Sequence, residues 1–421
     1  MSTIFAPITG RGGAVVTLRL SGAECFKIIE GFAGALPESR CASLRRLRFQ
    51  GQVLDEALLV IFPAPRSFTG EDVAEISIHG GRAVLAAVSA ALAALGARPA
   101  EPGEFSRRAF ENGRMDLLQA EAMADLIAAE TEAQRAQALD GGLHAACTAW
   151  RERLRQLMAR QEALIDFPDE DLPPEVEAEL RGGISALRDE MLAALHAAPA
   201  AERLREGLEF VILGPPNAGK STLLNALAGE DIAIVSEIPG TTRDAVGVRV
   251  DLGGVPVHLT DTAGVRETED MIEAEGVRRA KAKAARADFV ILLAAPGENF
   301  TAPPAGAAVL RVQTKADIAA DSAGFCISAK TGQGMANLRA RLVAEAHALT
   351  DRQGAASLAR PRQVVCVRDT VIALDMALAI DEPELRGEEL RAAAQALARL
   401  VGGIGVEEVL DAVFSGFCIG K

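Results

Sequence analysis

The fold of the central part of this chain is set by one stretch, Leu208 to Leu227, which reads LEFVILGPPNAGKSTLLNAL. It begins as a largely apolar run that predicts a buried strand, and its end predicts the start of a helix. Between them lies the pattern G-x-x-x-x-G-K-S, from Gly214 to Ser221. In this context such a loop binds phosphates through backbone N–H groups and the helix N-terminus. The sequence therefore predicts a phosphate-binding loop in which Lys220 contacts the outer phosphates and Ser221 is a ligand of Mg²⁺.

Further motifs follow in the order that a GTPase needs. Thr242, within residues 240–244, offers a hydroxyl that could complete the Mg²⁺ coordination when a γ-phosphate is present. Asp261 ends a predicted strand and opens Asp-Thr-Ala-Gly, in which the carboxylate can hold a metal-bound water and the Gly264 N–H can meet the γ-phosphate. Asp317, in Thr-Lys-Ala-Asp, would accept hydrogen bonds from the N1–H and the exocyclic amine of guanine. Adenine cannot match them, so the predicted nucleotides are GTP and GDP.

The predicted GTP site combines these motifs with the Ser-Ala-Lys run that follows the last predicted strand. Its residues are Asn217, Ala218, Gly219, Lys220, Ser221, Thr222, Ser236, Glu237, Ile238, Pro239, Gly240, Thr241, Thr242, Asp261, Thr262, Ala263, Gly264, Thr314, Lys315, Ala316, Asp317, Ser328, Ala329 and Lys330. The base-reading motif normally begins with Asn, and here it begins with Thr314. A hydroxyl in place of a carboxamide leaves open both the contact to guanine and the link to the phosphate loop, so we expect modest guanine affinity.

Catalysis needs a group other than the usual glutamine. Val265 follows the Asp-Thr-Ala-Gly motif, where small signalling GTPases carry a Gln that orients water. A valine cannot orient water. The acidic residues just downstream are the candidates, although each one also fits a solvated carboxylate at a helix start. They are Glu267, Glu269, Asp270, Glu273 and Glu275.

The pattern of the sequence predicts a multidomain α+β and α/β protein. Residues 1–115 contain short apolar runs broken by turns, which indicate an α+β domain. Residues 116–206 and 348–421 are helical, and the periodicity near Leu118 is compatible with a helix that runs on with Leu143 to Ile165. Residues 207–347 alternate strands and helices, as in a Ras-like P-loop GTPase domain. Because helices precede and follow it, we expect this G domain to be inserted into one discontinuous helical domain.

Composition limits the partners. The chain has 421 residues with 44 Lys and Arg against 58 Asp and Glu, a formal net charge of -14. Such a molecule repels polyanions, so contact with nucleic acid must be local or shared with a partner. The six cysteines are scattered without a C-x-x-C pair, and no membrane segment or leader is recognisable. These features predict a soluble cytoplasmic protein with reduced thiols.

Distinctive runs also occur outside the GTPase motifs. They are Arg11-Gly12-Gly13, SFTGEDV at 67–73, His79-Gly80-Gly81, PGEFS at 102–106, DLLQAEA at 116–122, IDFPDE at 165–170 and FCIGK at 417–421. Together with the phosphate loop, they resemble the family of tRNA modification GTPases known as MnmE or TrmE over the full length of the chain. Among these features, the terminal FCIGK joined to a phosphate loop comes nearest to being specific for the family.

The resemblance implies a homodimer whose N-terminal domain binds a tetrahydrofolate, in the 5,10-methylene or 5-formyl form. Arg19, Glu75, Arg114 and Lys421 are expected around this folate. It also implies a heterotetramer with the FAD protein MnmG (GidA), through which FAD and NADH enter and through which tRNA mainly binds. The complex would install a carboxymethylaminomethyl or aminomethyl group at C5 of the wobble uridine of certain tRNAs, using a folate one-carbon unit.

The same resemblance implies how GTP is hydrolysed. Two G domains would meet around K⁺, which sits where other GTPases place an arginine finger. Asn217, Ser236, Ile238 and Thr241 would be its ligands, and Glu273 would orient the attacking water. Cys418 is considered as a reactive thiol near the folate; the alternative is a small apolar residue between Phe417 and Ile419. The catalytic candidates are therefore Glu273, Lys220 and Cys418.

Other interpretations stay open at this stage. Arg19 and Glu75 could simply pair across a sheet, and His79 fits a turn residue better than a base. A ribosome-assembly or other switch GTPase without folate chemistry would share the nucleotide motifs, but would leave the terminal FCIGK unexplained. A dinucleotide enzyme built on residues 10–13 is disfavoured, because that run precedes its strand instead of following one.

Overall fold

The computed structural model describes residues 2–10, 12–166, 174–229, 247–261, 285–319, 325–351 and 356–403, together with residues 410, 413, 414, 417 and 420. These residues form two compact units. The first is made of Met1–Ala124 and Ala398–Lys421, and the second of Asp125–Leu397. None of the helices in the described ranges combines the length and the apolar character that crossing a bilayer requires.

The first unit is built on a mixed sheet of six described strands in the order β3-β4-β5-β2-β1-β6. They are β1 (Ile4–Pro7), β2 (Val15–Ser21), β3 (Ser43–Phe49), β4 (Gln52–Phe62), β5 (Val73–His79) and β6 (Arg98–Pro99). Alternate residues of a strand point to opposite faces. Val16, Leu18 and Leu20 of β2 therefore enter the main core, whereas Thr17 and Arg19 lie on the other face.

Helices complete this unit. They are α1 (Cys25–Ala33), α2 (Arg82–Ala94), α3 (Glu104–Glu111) and the beginning of α4 (Leu117–Ala128). Ile28, Ile29 and Phe32 of α1, with Val88 and Leu92 of α2, pack on the core face of the sheet. A smaller cluster of Leu117, Phe414 and Phe417 brings part of the C-terminal segment into the same unit.

The second unit contains α5 (Glu132–Leu139), α6 (Gly142–Asp166), α7 (Pro174–Glu206), α10 (Pro361–Ala379) and most of α11 (Pro383–Val401). A run-on helix from Leu118 to Ile165 does not form. The Thr131 side chain and Gln134 make a capping box that starts α5, and Gly141, with φ of 62°, separates α5 from α6. Competing hydrogen bonds at the helix start therefore divide an otherwise continuous helical pattern.

The sheet of the second unit has six described strands in the order β12-β11-β10-β7-β9-β8. They are β7 (Leu208–Leu213), β8 (Gly247–Leu252), β9 (Val255–Asp261), β10 (Phe289–Ala294), β11 (Val309–Gln313) and β12 (Phe325–Cys326), and α8 (Lys220–Gly229) and α9 (Met335–Thr350) belong with them. Each neighbouring pair is parallel except β8 with β9. Phe210 and Ile212 enter one core and Val211 and Leu213 another, as expected for a strand buried on both faces.

Candidate functional site

The phosphate loop connects β7 to α8, and its backbone explains its residues. Gly219 has φ of 89° and Asn217 has φ of 61°. Both values lie in the left-handed region, which glycine tolerates best and which asparagine tolerates better than most other residues. At Gly214, a Cβ atom would come within 2.6 Å of the Leu293 carbonyl oxygen. Larger residues would therefore displace the loop from the sheet edge, where α8 begins.

Lys220 is buried, with 6% of its surface exposed. Its Nζ donates to the carbonyl oxygens of Gly214 and Pro215, each at 2.9 Å. These contacts hold a positive charge against the loop, at the N-terminus of α8. A triphosphate bound by the loop would meet this ammonium together with the partial positive charge of the helix end.

Ser221 and Asp261 come together beside the loop. The Ser221 Oγ donates to the Asp261 Oδ2 at 2.6 Å, and Asp261 is buried at the end of β9. A hydroxyl and a carboxylate supply the hard oxygen atoms that Mg²⁺ prefers. Among the described residues, no group of three or more His, Cys, Asp or Glu could hold a metal ion. A divalent ion here would therefore use these two oxygens, waters and the nucleotide phosphates.

Thr314 joins the base-reading loop to the phosphate loop. Its Oγ1 donates to the Ala218 carbonyl oxygen at 2.7 Å, and its backbone N–H donates to the Ala294 carbonyl oxygen at 2.9 Å. The link that the sequence left open is thus made by a hydroxyl. Since Thr314 is only 5% exposed, this hydrogen bond lies in a protected environment, in which losing it is costly.

Asp317 lies beside the loop that follows β12. The Ala316 N–H donates to the Ile327 carbonyl oxygen at 3.0 Å, which brings the two loops together. A hydrogen bond from the Ser328 side chain, followed by a backbone hydrogen bond and the charge of Lys330, lowers the pKa of Asp317. The carboxylate is therefore ionised at neutral pH, as an acceptor of two guanine N–H groups must be.

The other predicted nucleotide residues divide into two groups. Asn217 and Thr222 are exposed at the phosphate loop, Ala218 is buried there, and Lys315, Ala329 and Lys330 belong to the loops that follow β11 and β12. The remaining predictions lie outside the described residues. They concern Ser236, Glu237, Ile238, Pro239, Gly240, Thr241, Thr242, Thr262, Ala263, Gly264 and Glu273, and also Cys418 and Lys421.

A separate cavity lies in the first unit, next to Arg19 and Glu75. These residues are opposite each other in β2 and β5, and Arg19 donates to the Glu75 Oε1 from Nε at 2.9 Å and from Nη2 at 2.8 Å. The Arg19 guanidinium carbon also lies 4.6 Å from the ring centroid of Phe68. The two residues therefore pair across the sheet and also contribute a fixed charge pair beside an aromatic wall.

The cavity has a volume of about 490 Å³ and brings Glu75 and Arg114 to a common lining. Phe68 and Ser67, from the distinctive run at 67–73, line it as well. Sequence reasoning did not single out Arg40, Phe62 or Arg66, which complete the lining with Val73. Arg40 lies in a turn and Phe62 ends an apolar strand, but neither local pattern marks a residue that lines a cavity.

The loop at residues 67–72, which contributes to this cavity, is held by partly buried polar contacts. The Ser21 hydroxyl donates to the Glu71 Oε2 at 2.7 Å, and Arg108 Nη1 donates to the same oxygen at 3.0 Å. The Asn112 side chain donates to the Thr69 carbonyl oxygen at 2.7 Å. These bonds fix residues 67–72 without using the side chains that face the cavity.

The C-terminal segment reaches the same unit. Gly420 has φ of 105°, and a Cβ there would lie 2.2 Å from the Pro7 carbonyl oxygen. Pro7 is adjacent to Ala6, which pairs with Arg19 in the sheet. The terminal FCIGK run therefore includes a glycine that contacts the strand next to Arg19.

His79 is the last residue of β5, where it pairs with Val15 and directly precedes Gly80 and Gly81. Its Nδ1 lies 2.7 Å from the Asp55 Oδ1, and its backbone N–H donates to the Asp55 Oδ2 at 2.8 Å. Burial alone would raise the pKa of Asp55, but the hydrogen bonds from the His79 backbone and side chain outweigh it and lower the pKa. At the next residue, Gly80, a Cβ would collide with the Gly13 carbonyl oxygen. This arrangement supports a structural role for the His-Gly-Gly run.

Comparisons with known proteins give matches along the whole chain. A family model described as the MnmE helical domain matches residues 117–418, and one described as the N-terminus of the GTP-binding protein TrmE matches residues 3–114. The tRNA modification GTPase MnmE of Acidiphilium cryptum is 61% identical over 426 residues, which cover 99% of this chain and 98% of that protein. The protein of the same name from Gluconacetobacter diazotrophicus is 54% identical over 433 residues, again covering 99% of this chain and 98% of that protein. Among solved structures, the G domain of the FeoB iron transporter from T. maritima is 24% identical, covers 33% of this chain and 98% of that chain, and has a TM-score of 0.25.

Proposed function

The chain belongs to the MnmE family of tRNA modification GTPases, and from this membership we propose how its sites act together. As a member of this family it is a GTP hydrolase. The observation that carries the proposal is the convergence of Lys220, Ser221, Asp261 and Thr314 at the carboxyl ends of β7, β9 and β11. Ligands of open α/β sheets bind at this edge.

We propose the following division of the chain. Residues 1–115 bind the folate and dimerise, residues 116–206 with 348–421 form the helical domain, and residues 207–347 form the inserted G domain. The sheet of β7 to β12 lies within the last range, and the cavity beside Glu75 lies within the first. GTP chemistry and folate chemistry therefore take place at separate sites of one chain.

In the G domain, Lys220 would leave the carbonyl oxygens of Gly214 and Pro215 and contact the β and γ phosphates. Ser221 and Asp261 fit Mg²⁺, which would neutralise charge on the phosphates when bound. The ionised Asp317 would select guanine, and Thr314 would keep the base-reading loop in register with the phosphate loop. Each of these residues binds or orients; the attacking water needs a further group.

That group is Glu273 in our proposal, acting once two copies of the G domain close on K⁺. Asn217, with Ser236, Ile238 and Thr241, would coordinate the ion. Asn217 is exposed at the phosphate loop. This exposure supports its proposed role as a K⁺ ligand, because a residue that lies between two G domains in the dimer must be accessible to solvent in a single chain. The charge of K⁺ would then act on the phosphates in the role of an arginine finger.

In the first unit, Glu75 and Arg19 would fix the heteroaromatic ring of a tetrahydrofolate, with Phe68 as a wall and Arg114 on the same cavity. A carboxylate paired with a guanidinium offers an acceptor for ring N–H groups and amino groups. The contact of Gly420 with Pro7 supports the proposal that Lys421 and Cys418 act near this site. The folate would supply the one-carbon unit.

We further propose that the chain acts as a cytoplasmic homodimer in a heterotetramer with the FAD protein MnmG (GidA), whose FAD and NADH chemistry completes the reaction. The product would be a carboxymethylaminomethyl or aminomethyl group at C5 of the wobble uridine. The net charge of -14 supports tRNA binding mainly through the complex. A ribosome-assembly or other switch GTPase is disfavoured by the family membership.

The proposal is tested in a bacterium whose own gene of this family is deleted. Wild-type chain should restore the modified wobble uridine, measured by mass spectrometry of tRNA nucleosides. Lys220→Ala and Glu75→Gln should not restore it, because the first loses phosphate binding and the second loses folate binding. Lys27→Gln, an exposed change in the first unit, is the matched control. Full restoration of the modified uridine by Lys220→Ala would refute the proposed GTP site, and full restoration by Glu75→Gln would refute the proposed folate site.

A further inference from the structure

The cavity of the first unit carries more positive charge than the proposed folate contacts use. Arg40, Arg66 and Arg114 line it with Glu75, and Glu75 already pairs with Arg19. Four arginines against one glutamate leave a surplus of three positive charges. In a chain whose net charge is -14, such a local surplus points to an anionic ligand.

Arg40 and Arg66 form one side of this cavity. Arg40 donates from Nη2 to the Arg66 carbonyl oxygen, and its guanidinium carbon lies 5.5 Å from the ring centroid of Phe62. The backbone of Arg40 has φ of 65°, a conformation that costs about 1 to 2 kcal/mol for a residue other than glycine. A charged residue is thus held at the cavity in an unfavourable backbone conformation, which is a mark of functional sites.

The guanidinium of Arg66 is available to a ligand. Within the described ranges, neither Arg66 nor Arg114 has a carboxylate partner. The carboxylates nearby in sequence are already engaged: Glu71 with Arg108, and Asp72 with the Ala64 N–H at 2.9 Å. Within the described residues, no carboxylate of residues 67–72 is therefore in ion-pair contact with Arg66.

We propose that Arg40 and Arg66 bind the carboxylates of an oligo-γ-glutamyl tail, and that the protein prefers folates with more than one glutamate. This inference rests on the proposed folate function. It is favoured over a nucleic-acid phosphate because the same cavity has aromatic walls, Phe62 and Phe68, and contains the Arg19–Glu75 pair. The anionic groups that the arginines bind would therefore belong to the same ligand as the ring that the cavity holds.

The test compares 5-formyl-tetrahydrofolate with one and with three glutamates, by calorimetric titration of the full chain. Two added carboxylates at partly exposed arginines should make the triglutamate bind about fivefold to tenfold more tightly. This ratio should fall as salt is added. Arg66→Gln and Arg40→Gln should bring the ratio close to one, and Arg66→Lys should keep most of the preference.

Arg82→Gln is the matched control, because it removes one exposed arginine of the same unit that does not line the cavity. It should leave the ratio unchanged. Equal affinities of wild type for both ligands, or an undiminished ratio in Arg66→Gln, would overturn the tail site while leaving folate binding intact. If neither ligand binds to wild type, the folate function fails as well. If Arg66→Gln instead weakens binding of tRNA by the complex and leaves the ratio unchanged, the arginines serve nucleic acid and the inference is wrong.

Discussion

The hydroxyl of Thr314 joins the loops that would hold the two ends of the nucleotide. It donates to Ala218, in the phosphate loop, from a position directly after β11. At Gly219 a Cβ would lie 3.8 Å from the nearest Thr314 atoms, an ordinary contact, so glycine is favoured there by its φ of 89° and not by lack of space. The hydrogen bond from Thr314 to Ala218 is thus the contact that joins the two loops at this point.

Thr314→Val tests this link. It keeps the shape of the side chain and leaves the Ala218 carbonyl oxygen without its donor, at a cost of about 1 to 3 kcal/mol. We expect the Kd for GDP and GTP to rise by about tenfold, measured with a fluorescent nucleotide analogue. Thr314→Ser retains the hydroxyl and should bind nearly as wild type. Equal affinity of the Val and Ser variants would show that the hydrogen bond is not needed.

The element α3 is anchored by its first residue. Glu104 accepts hydrogen bonds from Arg98 of β6 at 2.9 Å, from the Glu101 N–H at 3.0 Å and from Arg108 at 2.9 Å. Burial by itself would raise the pKa of Glu104, but the hydrogen bond from Arg98, then that of the backbone, then Arg108, outweigh burial and lower it. The ionised form is therefore favoured in the folded protein.

Because the folded pKa of Glu104 is lowered, its contribution to stability is present above the unfolded pKa of about 4.3 and is lost as pH falls through the folded value. Glu104→Gln should reduce the free energy of unfolding at pH 7 by about 1 to 3 kcal/mol. In denaturant titrations at pH values descending below about 4, the difference from wild type should shrink. A difference that stays constant down to the lowest pH would contradict the role of the charge.

The hairpin of β8 and β9 lies in the sequence between Thr242 and Asp261, and it packs on a helical segment. Arg249 Nη1 donates to both carboxylate oxygens of Glu130, at 2.7 and 2.8 Å, and the Ala133 N–H donates to the Gly254 carbonyl oxygen at 3.2 Å. The strand that ends in Asp261 is thus part of a hairpin that is hydrogen-bonded to α5.

A double-mutant cycle with Arg249→Gln and Glu130→Gln measures the coupling free energy of this ion pair. The side chains are 40% and 22% exposed, so we expect a coupling free energy of about 0.5 to 1 kcal/mol in equilibrium unfolding. The exposed pair Arg135 and Glu132, neighbours on α5, is the control and should give a value nearer zero. If the coupling free energy of Arg249 and Glu130 is no larger than that of the control pair, the ion pair does not stabilise the packing of the β8–β9 hairpin on α5.

The sequence predicted those strands whose alternation of apolar and polar residues reflects which face is buried. The strands at Val15–Ser21 and Val73–His79 alternate apolar and polar residues, and β7 is recognised from the loop that follows it. The break at Thr131 was present as a T-x-x-Q pattern, but it was hidden by the helical periodicity on both sides. Local signals of this kind are readable in principle.

The lining of the cavity could not be predicted in the same way. Arg40 reaches it because its backbone N–H donates to the Ile61 carbonyl oxygen at 2.9 Å, a contact between segments far apart in sequence. Its left-handed backbone has no signature in the residue type. By contrast, Glu75 and Arg19 are in register because strand pairing fixes them. Positions set by regular elements were predictable, and positions set by loop packing were not.

At the scale of the whole molecule, the phosphate loop and the cavity beside Glu75 belong to different units. We propose that assembly of two G domains is the decisive step, because Val265 cannot orient water and the exposed Asn217 stands at the phosphate loop. Hydrolysis would then report on dimerisation and not only on nucleotide binding.

The most direct measurement is steady-state GTP turnover as a function of protein concentration, in K⁺ and in Na⁺ buffer, for wild type and Asn217→Ala. In K⁺, wild-type turnover per chain should rise with concentration and exceed that in Na⁺ by at least about tenfold. Asn217→Ala should lose this stimulation while still binding GDP. Full turnover by dilute wild-type chain in Na⁺ would contradict the proposal.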